Sequence, residues 1–186
     1  MAGNVLEYCS PSRAGLISRY TINVFSPEMI GLEMLAYGAP TVSSTATGAN
    51  AVIHHPLILP YPFTVNQFFW VNGSAVAGNT DIGVYTEDGA SLLASSGAVL
   101  NAGASALQVV DVTNVTLPAN RRLWLSLGAT DASQQYTRFS LTAPASDYIG
   151  IKTMASGISG TLVTPATFAI GANTCIWCGM TSSATL

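Results

Sequence analysis

The chain has 186 residues, 49% of them hydrophobic and only 8% charged, with a formal net charge of −3. That length suits one domain of ordinary size, and the composition excludes intrinsic disorder, which needs low hydrophobicity and high net charge. A single lysine, Lys152, rules out sustained coiled-coil heptads, and five arginines (Arg13, Arg19, Arg121, Arg122, Arg138) that form no stripe argue against nucleic-acid binding.

Residues 1–50 read as an N-terminal arm. Within it Arg19–Phe25 alternates and predicts a strand that pairs outside the main domain, with Tyr20, Ile22, Val24 and Phe25 as contacts. Pro27–Leu35 predicts one or two helical turns after the proline, offering Met29, Leu32 and Met34 as candidate contacts, with Leu35 also apolar. Gly38-Ala39-Pro40 breaks that pattern, and Thr41–Ala49 has the Ser/Thr/Ala/Gly composition of a linker. The alternative is that the region folds back as edge strands of the domain.

Residues 51–186 read as an all-β domain. Phe63–Val71 is rich in aromatic and β-branched residues and ends at the turn pair Asn72-Gly73. Thr80–Tyr85 follows, with Ile82 and Val84 on one face. Glu87-Asp88-Gly89 supplies a hairpin turn and Ser91–Ser96 returns from it. Leu107–Val112, Arg122–Leu127 and Tyr136–Leu141 are further strands, and Thr167–Ile170 and Cys175–Cys178 complete the tail. In Arg122–Leu127, Leu123, Leu125 and Leu127 alternate with Trp124 and Ser126, so Trp124 points away from the core. Short strands cut by Gly, Asn, Pro and Ser turns predict an antiparallel β-sandwich of jelly-roll type.

Chemistry-bearing patterns are sparse. Cys175-Ile176-Trp177-Cys178 has C-x-x-C spacing, but no second ligand pair stands near it and no helical pattern follows, so the cysteines read as small core hydrophobes. The sequence leaves open whether Cys9 meets either of them. Asp81 and Asp111 are the carboxylates that different strands can bring together, without any spacing that marks an acid–base pair. His54 and His55 are strand neighbours and point to opposite faces, which argues against one shared ion. Asp81, Glu87 and Asp88 bracket one hairpin where calcium is conceivable, yet no D-x-D-x-D spacing occurs and no metal site is assigned. Neither G-x-S-x-G nor a phosphate-loop motif is found. No catalytic, cofactor-binding or metal residue is therefore expected. Trp70, Tyr85, Trp124, Tyr136 and Trp177, each on a predicted strand, are the rings that could stack on a glycan, and of these Trp124, Tyr136 and Tyr85 are the expected glycan or subunit contacts.

The N-terminus lacks a basic segment followed by an apolar run, and the apolar stretches fall short of the ~20 residues of a spanning helix. Synthesis in a cytoplasm with no membrane partner is the expectation. So few charges leave a surface poorly protected against association, which points to a component of an assembly.

Residues 51 to about 139 resemble tailed-bacteriophage virion proteins. The resemblance rests on Ala51–Pro60, Phe63–Gly73, Gly78–Tyr85 with Asp88-Gly89, Ala106–Thr113, Leu117–Asn120 and the Trp124 strand. It implies a jelly-roll-like module on the particle surface, either a head decoration (cement) protein, often trimeric, or a fibre module. The expected partners are then the major capsid protein and further copies of the chain. The alternative is a glycan-binding host-recognition module on a tail fibre or baseplate.

Overall fold

The computed structural model describes residues 24–25, 43–46, 51–140, 152–154, 162–168 and 174–182. Among these the protein is all-β and every strand pairing is antiparallel. The β-branched and aromatic runs form the long strands, as expected where side chains pack on a pleated, half-buried surface.

Numbered along the chain, β1 (Val24–Phe25), β13 (Cys178–Thr181), β4 (Phe63–Val71) and β8 (Leu107–Leu117) form a first sheet in that order. A second sheet runs β12 (Thr174–Ile176), β10 (Gln135–Ser140), β2 (Ser43–Ala46). The third runs β11 (Lys152–Met154), β3 (Val52–Ile58), β9 (Arg122–Ala129), β5 (Asn79–Thr86), β6 (Leu92–Ser95), with β7 (Val99–Leu100) also paired to β5.

One apolar cluster draws on all three sheets. It takes Phe63, Val65, Phe68 and Trp70 from β4, Ile82 and Val84 from β5, Leu123, Leu125 and Leu127 from β9, and Tyr136, Ile176 and Met180 from later strands. The switch from odd to even inward positions on β4 follows from a register shift against β8 between Val65 and Gln67. Pro56 sits inside β3, opposite Trp124 on β9. It is tolerated because β11 pairs with β3 only from Val52 to His54, so no ladder partner is deprived of a donor there.

Several sequence expectations change. Ser43–Ala46, expected as linker, pairs with Gln135–Arg138 of β10. Val24–Phe25 pairs with Thr181 and Met180 rather than with something outside the domain. Both described stretches of the first fifty residues are thus edge strands of sheets built by later residues. Tyr20, Ile22, Met29, Leu32 and Leu35 lie outside the described residues, as does the Pro27–Leu35 helical turn. In the tail, Thr167 and Phe168 are not in a strand, and Cys175–Cys178 spans two strands that part at Trp177.

Candidate functional site

Two-residue periodicity on the third sheet sends one set of side chains into the main core and the other to its far face. Register fixes the far-face rows: Val52, Gly128 and Asp81; His54, Ser126 and Gly83; Pro56, Trp124 and Tyr85. Trp124 does turn away from Leu123 and Leu125, but it is only 4% exposed. Val52, Tyr85 and Trp124 form a second cluster with Leu162 and Ala166, and Phe168 packs against it. The 162–168 segment therefore straps this face. Phe168 lies 4.9 Å from the Trp124 ring and 4.8 Å from His54, centroid to centroid, and Arg122 stacks over Trp124 at 4.8 Å. Trp124 Nε1 donates to the Glu87 carbonyl at 2.9 Å.

Glycine makes room for the strap. A Cβ on Gly83 would fall 2.4 Å from the Ala94 carbonyl oxygen and 3.0 Å from Leu162 Cδ1. Beneath Leu162 the Asp81 carboxylate is buried and accepts from Leu162 N at 2.7 Å and from Ser95 Oγ at 2.8 Å. Burial pushes its pKa up, opposed by these hydrogen bonds. Tyr85 Oη donates to the Val163 carbonyl at 2.7 Å, and burial, then the nearby Asp81 charge, raise the phenol pKa. Asp81 is thus committed to the strap. Asp88 is bonded instead to Thr86 Oγ1 and Ala90 N within its own turn. Among the described residues no three His, Cys, Asp or Glu side chains converge to hold a metal ion.

His54 and His55 take opposite faces. His54 Nδ1 lies 2.6 Å from Ser126 Oγ, and its buried Nε2 has no hydrogen-bond partner. His55 Nε2 accepts from Ile176 N at 3.1 Å, which leaves Nδ1 to donate to the Leu125 carbonyl at 3.3 Å. Desolvation lowers the His54 pKa to about 3, helped by the neighbouring His55, and lowers that of His55 to about 4. The Ser126–His54 contact brings a hydroxyl to a base, but both side chains are fully buried and closed to substrate. Asp81 and Asp111 stand on different sheets, and Asp111 accepts from Gln67 Nε2 at 2.7 Å.

Tyr136 belongs to a buried polar network. Its hydroxyl donates to Thr80 Oγ1, which donates to Asn101 Oδ1 at 2.7 Å. Asn101 holds the carbonyls of Ala77 and Gly78. Nearby, Asn72 Oδ1 accepts from Trp70 Nε1 and Gln134 Nε2, while its Nδ2 donates to Ala102 O, Gly103 O and Gln108 Oε1. Read in sequence as half of a turn pair, Asn72 is the hub that pins three connecting segments.

The expected contact residues are therefore covered. Tyr85 and Tyr136 are fully buried, and Trp124 lies under the chain's own 162–168 segment. Among the described residues the exposed ring is Trp177, at 39%. It stands where the tail crosses between β12 and β13, its carbonyl accepting from Val71 N at 3.0 Å. Val71 pairs with Leu107, and Phe69 with Val109, on the outward face of the first sheet. Leu107 is 53% exposed and Val109 37%. Phe69 and Gln67 on this face are buried, so its exposed apolar residues are Leu107 and Val109 on β8 and Trp177 beside Val71.

Cys175 and Cys178 are buried members of the main core, and Cys9 lies outside the described residues. No helix among the described residues is long and apolar enough to cross a membrane. Comparison with protein-family models, with curated proteins and with solved structures finds no match.

Proposed function

We propose that this chain is a non-enzymatic structural protein of a bacteriophage virion, a decoration protein bound to the outer head and contacting the major capsid protein. We infer with it that the sheets close as one jelly-roll-like sandwich, a reading supported by the main apolar cluster that all three sheets share. One observation carries the functional reading. Among the described residues both histidines, Asp81, Ser126, Tyr85 and Tyr136 are buried, while Ile58, Leu100, Leu107, Val109 and Trp177 are exposed on a surface with few charges. Such a surface favours association over turnover, because apolar area removed from water contributes ~25 cal/mol per Å² and needs no reacting group.

The arm is assigned the clamping contact, through Tyr20, Ile22, Val24, Phe25, Met29, Leu32 and Leu35. Repeated over a shell, such clips gain avidity from high effective concentration. The expected assembly is a trimer. Immunogold electron microscopy of purified virions tests the reading: label over the whole head supports it, and unlabelled particles reject it.

Glycan recognition is the second reading, and the exposure of Trp177 favours it at that ring rather than at Trp124. Label confined to the tail end of the particle selects it.

A further inference from the structure

We propose that the free edge of β8 is an interface with a second copy of this chain, the two β8 strands pairing antiparallel so that the first sheet continues from one molecule into the next. The proposal does not rest on the virion reading.

β8 is an outer strand of its sheet, paired with β4 on one side and with no ladder partner on the other among the described residues. A bare edge presents a row of unpaired N–H and C=O groups, and proteins blunt such edges by keeping them short or by placing lysine, proline or bulges on them. The remaining outer strands obey this: β1 has 2 residues, β2 and β6 have 4 each, β11 and β12 have 3 each, and β11 carries Lys152. β8 has 11 residues, Leu107–Leu117, and its irregularity against β4 lies between Asp111 and Val115, which leaves Leu107–Asp111 as a regular, unblunted stretch. It contains no glycine, proline or lysine, and its one charge is Asp111. Val109, Val110, Val112 and Val115 give it strong β propensity. Exposed Leu107 and Val109 lie along it, and Leu100, 70% exposed, is held beside it through Gln108 Nε2 and the Leu100 carbonyl.

The strand's own pattern indicates a second copy as the occupant. Antiparallel pairing places directly opposite residues on the same face, so the outward set Leu107, Val109 and Asp111 must meet its own kind. A two-fold centred on Val109 sets Val109 against Val109 and Leu107 of each chain opposite Asp111 of the other. The two carboxylates never face each other, and no cationic partner is needed. The low overall charge adds little repulsion between copies.

The test uses the full-length chain, its V109K and L107K variants, and S91K as a control on an exposed site of the third-sheet hairpin. Light scattering after size exclusion should give an even-numbered oligomer for the parent chain and for S91K, with half that mass for V109K and L107K at unchanged far-UV circular dichroism. Hydrogen exchange should show the alternate amides of residues 107–112 that point away from β4 protected in the parent and released in both edge variants. A monomeric parent chain at 100-fold dilution series concentrations spanning the micromolar range, or an oligomer and amide protection that survive both lysines, overturns the proposal. An odd-numbered parent oligomer, such as a trimer, overturns it as well.

Discussion

Acid should unfold this protein through its two buried histidines. Folded pKa values of about 3 for His54 and about 4 for His55 lie below the unbound value of 6.5, so the unfolded chain takes up both protons first. Stability present above pH 6.5 is then lost as pH falls toward the folded values, with a slope of about 1.4 kcal/mol per pH unit per histidine. At pH 5 the pair removes roughly 4 kcal/mol, a large part of the 5–15 kcal/mol typical of a domain. The structural reason is specific. Protonating His55 Nε2 sets a donor against the Ile176 N–H, and a charged His54 places a second N–H against the rings of Phe168 and Tyr85. Asp81 acts in the opposite sense, since its raised pKa means protonation relieves a burial penalty, and it tempers the loss at the acid end. Urea titrations followed by tryptophan fluorescence at pH 7.5, 6, 5.5 and 5 should show a slope of about 2.7 kcal/mol per unit in the lower range, about half of it in H54Q. A stability that stays flat from pH 7.5 to 5, or a slope unchanged in the H54Q/H55Q double variant, would refute the reasoning.

Other substitutions separate the strap, the polar hub and the exposed ring. Gly83→Ala should cost ~1–3 kcal/mol, because its Cβ collides with the Ala94 carbonyl and Leu162, and should speed proteolysis within 162–168. Asn72→Ala should lower stability by ~2–4 kcal/mol in chemical denaturation, as it strips partners from Trp70, Gln134 and Gln108 together. Trp124→Ala should cost ~3–5 kcal/mol by thermal melting, since the ring is buried. Under the glycan reading Trp177→Ala abolishes fluorescence quenching by host polysaccharide while the far-UV circular dichroism stays that of the parent.

Legibility in the sequence followed how local each determinant was. Phe63–Val71 matches β4, and Thr80–Tyr85 and Arg122–Leu127 fall within β5 and β9, because aromatic and β-branched runs bounded by turns need no distant partner to be recognised. The opposite faces of His54 and His55 and the outward turn of Trp124 also follow from period alone. Ser43–Ala46 was misread as linker because its small polar side chains carry no pattern, and its strand exists only by pairing with β10. The arm residues Tyr20, Ile22, Met29, Leu32 and Leu35 remain a proposal from sequence.

Composition, the low charge and the strand faces were set by the order of residues, since alternation is a property of the extended backbone itself. What covers each face was decided only in three dimensions. The 162–168 segment, far from β9 in the chain, buries Trp124 and Tyr85, while Trp177 is left exposed and β8 has no second ladder partner among the described residues. Exposure depends on contacts between residues distant in sequence, and no local pattern encodes them.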